Sequence, residues 1–172
     1  SPESLVFRGR VSPRVVTSPE EAAYRAAEGF PEIVPLDLAY LGVWDTVGAL
    51  GVPGHFVLAP LLNGGRYAFH DADLSRLVGA ARHAIALDER RRTFAPTRWC
   101  NLDDLNGEAS GDAAPYQERF FPGDHGAIGG GGDILDLSSI ALDWVIDGAA
   151  RAGLAFDPAR RAAIRRQQDP TG

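Results

Sequence analysis

The chain has 172 residues, 45% hydrophobic and 23% charged, which is long enough for one domain with a sizeable core. Its 17 Lys and Arg against 23 Asp and Glu give a net charge of −6, and this balance argues against a nucleic-acid partner because phosphate binding normally needs a basic patch. One cysteine, Cys100, excludes an internal disulfide and a cysteine metal cluster, and no apolar run reaches the ~18 residues of a membrane span.

The first clear element along the chain is a helix. Ser18-Pro19-Glu20-Glu21 combines a capping hydroxyl with Pro at the first helical position and Glu at the third, which predicts a helix start. The helix is expected to run to about Ala27 and to stop at Gly29-Phe30-Pro31. A strand is predicted next, over about Leu36 to Trp44, with residues that are apolar on both faces apart from Asp37. Continuous apolar strands are typical of parallel sheets covered by helices.

The middle of the chain is rich in Gly and Pro over residues 46–70 and is unusually apolar there. This segment is expected to pack on the core, with a cover over a substrate cleft as the alternative. From Asp73, helical spacing predicts a helix that the charged run 88–92 ends; its apolar positions are Leu74, Leu77, Val78, Ala81 and Ile85. His83 lies off this apolar stripe and is expected at the surface.

The second half contains another predicted strand and two predicted helices. Asn101 to Pro115 is polar and is expected to form a mobile surface loop, and Tyr116 to Phe121 is the second strand. Asp157-Pro158 starts a short final helix, and an amphipathic stripe before it predicts a longer one through Leu137, Ile140, Ala141, Trp144, Val145 and Ala149. Because strand, loop and helix occur twice in this order, we predict a single domain over residues 1–172 with an α/β fold, mainly a parallel sheet flanked by helices.

Two chemically capable side chains each follow a predicted strand. Asp45 follows the first strand, and His125 follows the second on a turn that leads into the glycine run 129–132. Sites in open parallel sheets form beyond the carboxyl ends of the strands, so the fold would bring the two together. His125 would accept a proton from a nucleophile and deliver it to the leaving group, while Asp45 would fix the imidazole tautomer and stabilise its positive charge. Asp45 has an equally good interpretation as a cap of the turn that follows it.

A metal site is the alternative use of the histidine turn. Its ligands would be Asp124, His125, Asp133 and Asp136, since carboxylates with one imidazole suit hard or borderline divalent ions. Their spacing matches no established metal motif, and aspartates at loop edges often cap helices. The sequence therefore requires no metal and no other cofactor.

A serine hydrolase also needs a nucleophile, usually on a Gly-x-Ser-x-Gly elbow between a strand and a helix. This sequence has no such elbow: Ser110 lacks the first glycine, and Ser138 and Ser139 begin a helix, where capping explains them. The triad order serine, acid, histidine places the nucleophile before Asp45, so we expect it upstream of residue 1, in the same polypeptide or in a separate fragment. The chain also lacks Met, which fits a processed product or a piece of a longer protein.

Four blocks of this sequence resemble, in order, a family of bacterial α/β-hydrolase domains that includes the type VI secretion phospholipase effectors. The blocks lie within about residues 36–156 and are Leu41–Gly51, His83–Arg91, Phe121–His125 with its glycine run, and Leu137–Trp144. Two positions depart from the family pattern. Ala127 stands where an acidic residue commonly follows the histidine, and Ser139 replaces an aspartate.

The resemblance implies part of an α/β-hydrolase-like fold, with this chain as the C-terminal portion of the catalytic domain and the nucleophile elbow in an absent N-terminal portion. It implies that Asp45 and His125 are the acid and base of a triad that hydrolyses esters, with a lipase- or phospholipase-like substrate. It also implies a bacterial protein made in the cytoplasm without a signal peptide and exported by a type VI secretion system, and it leaves peripheral membrane contact open. The alternatives are a non-catalytic binding module on a degenerate hydrolase fold and a metal-dependent hydrolase.

Overall fold

The structure is a computed structural model that describes residues 2–12, 14–30, 33–47, 73–91, 94–131 and 135–168. Within these ranges it has an α/β fold in which parallel sheets are flanked by helices, as predicted. The predictions for the apolar segment 48–70 lie outside the described residues. No helix in the described ranges has both the length and the apolar character needed to cross a bilayer.

The N-terminal part contains two helices and a short parallel sheet. Helix α1 covers Pro2–Val11 and helix α2 covers Pro19–Ala27, and strand β1 (Val15–Val16) pairs in parallel with strand β2 (Val34–Pro35). The α2 prediction is confirmed: the Ser18 hydroxyl accepts a hydrogen bond of 3.1 Å from the amide of the glutamate three residues later.

The main sheet has three parallel strands in the order β3-β4-β5. They are β3 (Leu41–Trp44), β4 (Ala81–Ala86) and β5 (Tyr116–Phe121). The β5 prediction is confirmed, whereas only the last four residues of the predicted first strand belong to β3. All six residues of β4 are buried, because β4 is the central strand and both of its faces are covered.

The helix predicted from Asp73 is wrong, since its second half is strand β4. A strand buried on both faces shows no period-two alternation, and its small apolar residues also fit helical spacing by coincidence. His83, expected at a helix surface, is fully buried in this strand instead. Ahead of β4, Leu74 and Val78 pack with Ala81 in a cluster on one face of the sheet.

The remaining helices lie after β4. They are α3 (Leu102–Asn106), a 3-10 turn (Gly111–Ala113), α4 (His125–Ile128), α5 (Leu135–Arg151) and α6 (Pro158–Arg166). The predictions for α5 and α6 are confirmed, whereas the segment 101–115, expected to be a loop, contains α3 and the 3-10 turn. Helix α5 covers the other face of the sheet, where its residues pack against Ala84, Ala86 and Phe121. Both faces of the central strand are therefore closed, which leaves the strand ends as the place for chemistry.

Candidate active site

Asp45 and His125 meet beyond the carboxyl ends of two strands of the main sheet. Asp45 directly follows β3, and His125 begins α4 after β5. The Asp45 Oδ2 atom lies 2.8 Å from His125 Nδ1, which is a short, charge-assisted hydrogen-bond distance. The Asp45 side chain is 1% exposed and that of His125 is 34% exposed, so the acid is buried and the imidazole reaches the surface. We call these two residues the outer pair.

The backbone of Asp45 is held in a left-handed conformation. Its φ of 39° is the one positive value among the described non-glycine residues, and such a conformation is uncommon for an L-residue. Two hydrogen bonds to β4 fix it, one from the Asp45 amide to the Ala84 carbonyl at 2.7 Å and one from the Ala86 amide to Asp45 Oδ1 at 2.9 Å. The two carboxylate oxygens thus have different partners, and Oδ2 is left for the imidazole.

His125 is held by its backbone as well as by its ring. Asp124 caps α4 by accepting a 2.8 Å hydrogen bond from the Ala127 amide, which explains this aspartate without a metal. The His125 amide donates to Glu89 Oε2 at 3.3 Å. Asp88, the residue before Glu89 in the loop after β4, forms two hydrogen bonds with Gly123. Its Oδ2 accepts from the glycine amide and its amide donates to the glycine carbonyl. The loops after β4 and β5 are therefore joined next to the imidazole.

Glu89, Arg91 and Phe94 form a chain of contacts that ends at the His125 ring. Arg91 donates to both carboxylate oxygens of Glu89, at 2.9 and 2.7 Å, and its guanidinium lies 3.9 Å from the centre of the Phe94 ring. The Phe94 ring meets the imidazole edge-on with a centroid distance of 5.1 Å. Hydrogen bonds from the Arg91 side chain and backbone lower the pKa of Glu89 to about 2, so this carboxylate stays ionised beside the outer pair.

A second histidine–carboxylate pair, the inner pair, lies behind the outer pair in the sheet. His83 on β4 and Glu118 on β5 are register neighbours, and His83 Nδ1 lies 3.1 Å from Glu118 Oε1. Both side chains are buried, at 0% and 2% exposure. Burial opposes the ionisation of Glu118, but hydrogen bonds from His83, from the Trp99 amide and from Arg98 outweigh it and place the pKa of Glu118 below its ordinary value.

The hydrogen bonds of His83 define its tautomer. The Thr46 amide is a donor only, and it lies 3.1 Å from His83 Nε2, so Nε2 is the acceptor. The proton of the neutral ring then sits on Nδ1 and points at Glu118. Sequence reasoning missed the inner pair because it placed His83 on a helix. The signal that could have found it is a polar residue in the middle of an apolar, strand-length run.

The other candidate residues have structural partners. Ser138 donates to the Leu135 carbonyl at 3.0 Å and Ser139 to the Gln167 side chain at 3.1 Å, both from a buried part of α5. Of the residues considered for a metal, Asp133 lies outside the described ranges. Among the residues that the structure describes, no group of three or more His, Cys, Asp or Glu side chains is arranged to hold a metal ion.

Comparison with known proteins gives one match. The family model described as "T6SS, Phospholipase effector Tle1-like, catalytic domain" matches residues 17–148, more than three quarters of the chain. Searches of curated proteins and of solved structures found no match. The matched range contains both residues of the outer pair and both residues of the inner pair.

Proposed function

Because this chain belongs to the family of Tle1-like catalytic domains of type VI secretion phospholipase effectors, we propose that its outer pair is the acid and base of a serine ester hydrolase. Family membership implies a lipid substrate. The observation that carries the proposal is the 2.8 Å hydrogen bond between buried Asp45 Oδ2 and Nδ1 of the partly exposed His125 ring. This is the arrangement in which a carboxylate orients an imidazole for general-base catalysis.

The proposed reaction begins with proton transfer at His125. The Nδ1–H group of the ring donates a hydrogen bond to Asp45, so Nε2 has a free electron pair. Nε2 takes the proton of a serine hydroxyl as the serine oxygen attacks the ester carbonyl. Asp45 stays ionised and stabilises the imidazolium. The tetrahedral intermediate then collapses, the C–O bond to the alcohol breaks, and the leaving oxygen receives the proton from Nε2.

The second half-reaction repeats these steps with water. The Nε2 atom of His125 takes a proton from water, the hydroxide oxygen attacks the acyl carbonyl, and the bond to the serine oxygen breaks. The proton returns to the serine oxygen, so the carboxylic acid is released and the catalyst is restored. Asp45 holds the neutral His125 ring in one tautomer throughout, because Asp45 Oδ1 is occupied by the Ala86 amide and Asp45 Oδ2 faces Nδ1 of the ring.

The nucleophile is proposed to come from outside residues 1–172. The sequence has no Gly-x-Ser-x-Gly, and the hydroxyls of Ser138 and Ser139 already donate elsewhere from the buried face of a helix. On this proposal the chain is the C-terminal portion of one α/β-hydrolase-like catalytic domain, and the serine elbow comes before Asp45 in chain order.

The test is the hydrolysis of phospholipid vesicles by the natural gene product and by its His125→Ala variant. A fluorophosphonate probe, which reacts with activated serines, reports the nucleophile independently. We expect His125→Ala to lower kcat by roughly 10⁶-fold and to abolish labelling, as loss of a triad histidine does. Asp112→Asn, on the 3-10 turn where the side chain is 79% exposed, is the control and should match the unmodified protein.

Two outcomes would overturn the proposal. Equal hydrolysis by the His125→Ala variant would show that another group is the base. Absence of hydrolysis and of labelling in the unmodified protein would favour the non-catalytic binding module, which keeps the fold without the reaction.

A further inference from the structure

Asp45, the acid of the outer pair, has a strained backbone conformation that neighbouring residues must hold in place. A left-handed conformation at a non-glycine residue is strained and persists only where its surroundings fix it. Asp45 has φ 39°, and its side chain must still point Oδ2 at His125 within hydrogen-bond distance. The next residue, Thr46, therefore affects the position of the Asp45 carboxylate, because the Thr46 peptide groups fix the backbone on the C-terminal side of Asp45.

Both peptide groups of that residue, Thr46, are bound. Its amide donates to Nε2 of His83 at 3.1 Å, and its carbonyl accepts from the Thr97 amide at 2.8 Å. The Thr46 hydroxyl also lies 3.0 Å from the same Nε2 atom. The next residue, Val47, forms an isolated antiparallel bridge with Pro96. The turn after β3 is thus fixed between a buried imidazole and the segment 94–99.

His83 is itself fixed by Glu118. The Oε1 atom of Glu118 accepts from His83 Nδ1 at 3.1 Å and from the Trp99 amide at 2.9 Å, and its Oε2 accepts from Arg98 Nε at 2.9 Å. The Trp99 ring lies 5.2 Å from the imidazole centroid. The ring can neither rotate nor exchange its tautomer without breaking these contacts.

We propose that His83 is a positioning residue for catalysis, which holds the Thr46 amide and thereby aims the Asp45 carboxylate at His125. This inference rests on the proposed function of the outer pair. His83 touches no substrate, since it is fully buried, and it acts through Asp45. The segment 94–99 links the two pairs, because it binds Thr46 and Glu118 and also presents Phe94 to the His125 ring.

Two amide substitutions separate the two ends of the imidazole. In His83→Gln the longer side chain places an amide oxygen near the Nε2 position, where it accepts from the Thr46 amide. In His83→Asn the shorter side chain replaces Nδ1 and leaves the Thr46 amide without its acceptor. Both variants are uncharged and polar, and the melting temperature of each identifies any loss of fold.

We expect His83→Asn to lower kcat for phospholipid hydrolysis by the natural gene product by roughly 10- to 100-fold, the effect of one lost hydrogen bond in a buried site. KM should stay within about twofold, because substrate contacts are unchanged. His83→Gln should retain most of kcat. In an Asp45→Asn background, His83→Asn should cause little further loss, because a residue that acts through Asp45 has nothing left to aim.

The chain itself gives a readout that needs no nucleophile. The proton between His125 Nδ1 and Asp45 should give a strongly downfield proton NMR signal in the unmodified chain, and His83→Asn should shift or broaden it while His83→Gln retains it. The inference is overturned if folded Gln and Asn variants lose kcat equally, or if the loss is additive with that of Asp45→Asn. Full activity of His125→Ala would instead overturn the proposed function. The NMR comparison would still test whether His83 positions Asp45 relative to His125.

Discussion

Asp45 and His125 are joined by a 2.8 Å hydrogen bond, and both partners are held by β4 or by the loop that follows it. Asp45 is bound to β4 through its amide and its Oδ1 atom, while the His125 amide is bound to Glu89 in the loop after β4. The central strand therefore sets the position of both members of the outer pair. Substitutions at the carboxyl end of β4 should therefore lower kcat more than they raise KM.

Asp45→Asn should preserve the fold and remove most of the activity. Asn tolerates a left-handed backbone and keeps an oxygen for the Ala86 amide, so the turn survives. Its amide nitrogen then faces His125 Nδ1 and favours the tautomer with the proton on Nε2, which cannot accept a proton from a nucleophile. We expect kcat for phospholipid hydrolysis to fall by roughly 10³- to 10⁴-fold with a melting temperature close to that of the unmodified protein. A fall in melting temperature that accounts for the lost activity would contradict this assignment.

Glu89→Gln tests the loop contact of His125 through a pH profile. The pKa of Glu89 is about 2, so this carboxylate keeps its charge at any pH well above that value. The acid limb of the kcat/KM profile at pH values well above 2 therefore does not come from Glu89 itself. The plateau should drop by a few fold, because the Arg91 ion pair that holds the loop is lost. An unchanged plateau would show that the contact between Glu89 and the His125 amide does not anchor this loop.

Much of the fold could be predicted from local pattern, and so could the outer pair. Tyr116–Phe121 is strand β5 as predicted, and α2 starts at its capping serine because these signals are local. Asp45 and His125 were found by a positional rule, since chemistry in parallel sheets gathers where strands end. That rule requires only that two strands be parallel, and it does not require their register.

The inner pair could not be predicted in this way. His83 and Glu118 meet because Ala81 pairs with Tyr116 in the register of β4 and β5, and nothing local in the sequence specifies that register. The apolar run that contains His83 is buried on both faces, so its periodicity indicated a helix. Arg82 in the same strand is equally buried and is satisfied by the Trp144 carbonyl, a partner far away in sequence. Buried polar residues of this kind become interpretable only once their distant partners are known.

Gly148→Ala should destabilise the fold although Ala favours helices. A methyl group at this position of α5 would lie 2.6 Å from Arg82 Cδ and 2.6 Å from the Tyr40 hydroxyl oxygen. Neither side chain can yield freely, because Arg82 is bound to α5 and the Tyr40 hydroxyl donates to the Val145 carbonyl at 2.8 Å. Overpacking of about 1–3 kcal/mol then exceeds the gain of about 1 kcal/mol in helix propensity.

Urea unfolding measures this balance. Gly126→Ala is the matched control, since its added methyl group would lie 3.5 Å from the nearest atom, an ordinary contact. We expect a lower unfolding midpoint for Gly148→Ala and little change for the control. A midpoint for Gly148→Ala at or above that of the unmodified protein would mean that α5 can move away from the sheet.

The buried ion pair of α2 should make stability depend on acid pH. Burial opposes the ionisation of Glu21, but hydrogen bonds from Arg8, from Thr17 and from Arg25 outweigh it and lower the pKa of Glu21 from 4.5 to about 2. A carboxylate with a lowered pKa in the folded state contributes stability that is complete above the unfolded-state value and is lost as the pH falls from 4.5 towards 2. Glu21→Gln should lose less stability than the unmodified chain across this window.

At pH 7 the same substitution should lower the free energy of unfolding by roughly 3 kcal/mol, because Arg25 is left fully buried without its counterion. Glu28→Gln, at the exposed C-terminal end of the same helix, is the control for removing one negative charge. Urea unfolding at pH 7, 4.5 and 3 gives the three comparisons. Parallel losses of stability in the Glu21→Gln variant and the unmodified chain between pH 4.5 and 3 would place the acid sensitivity in carboxylates other than Glu21.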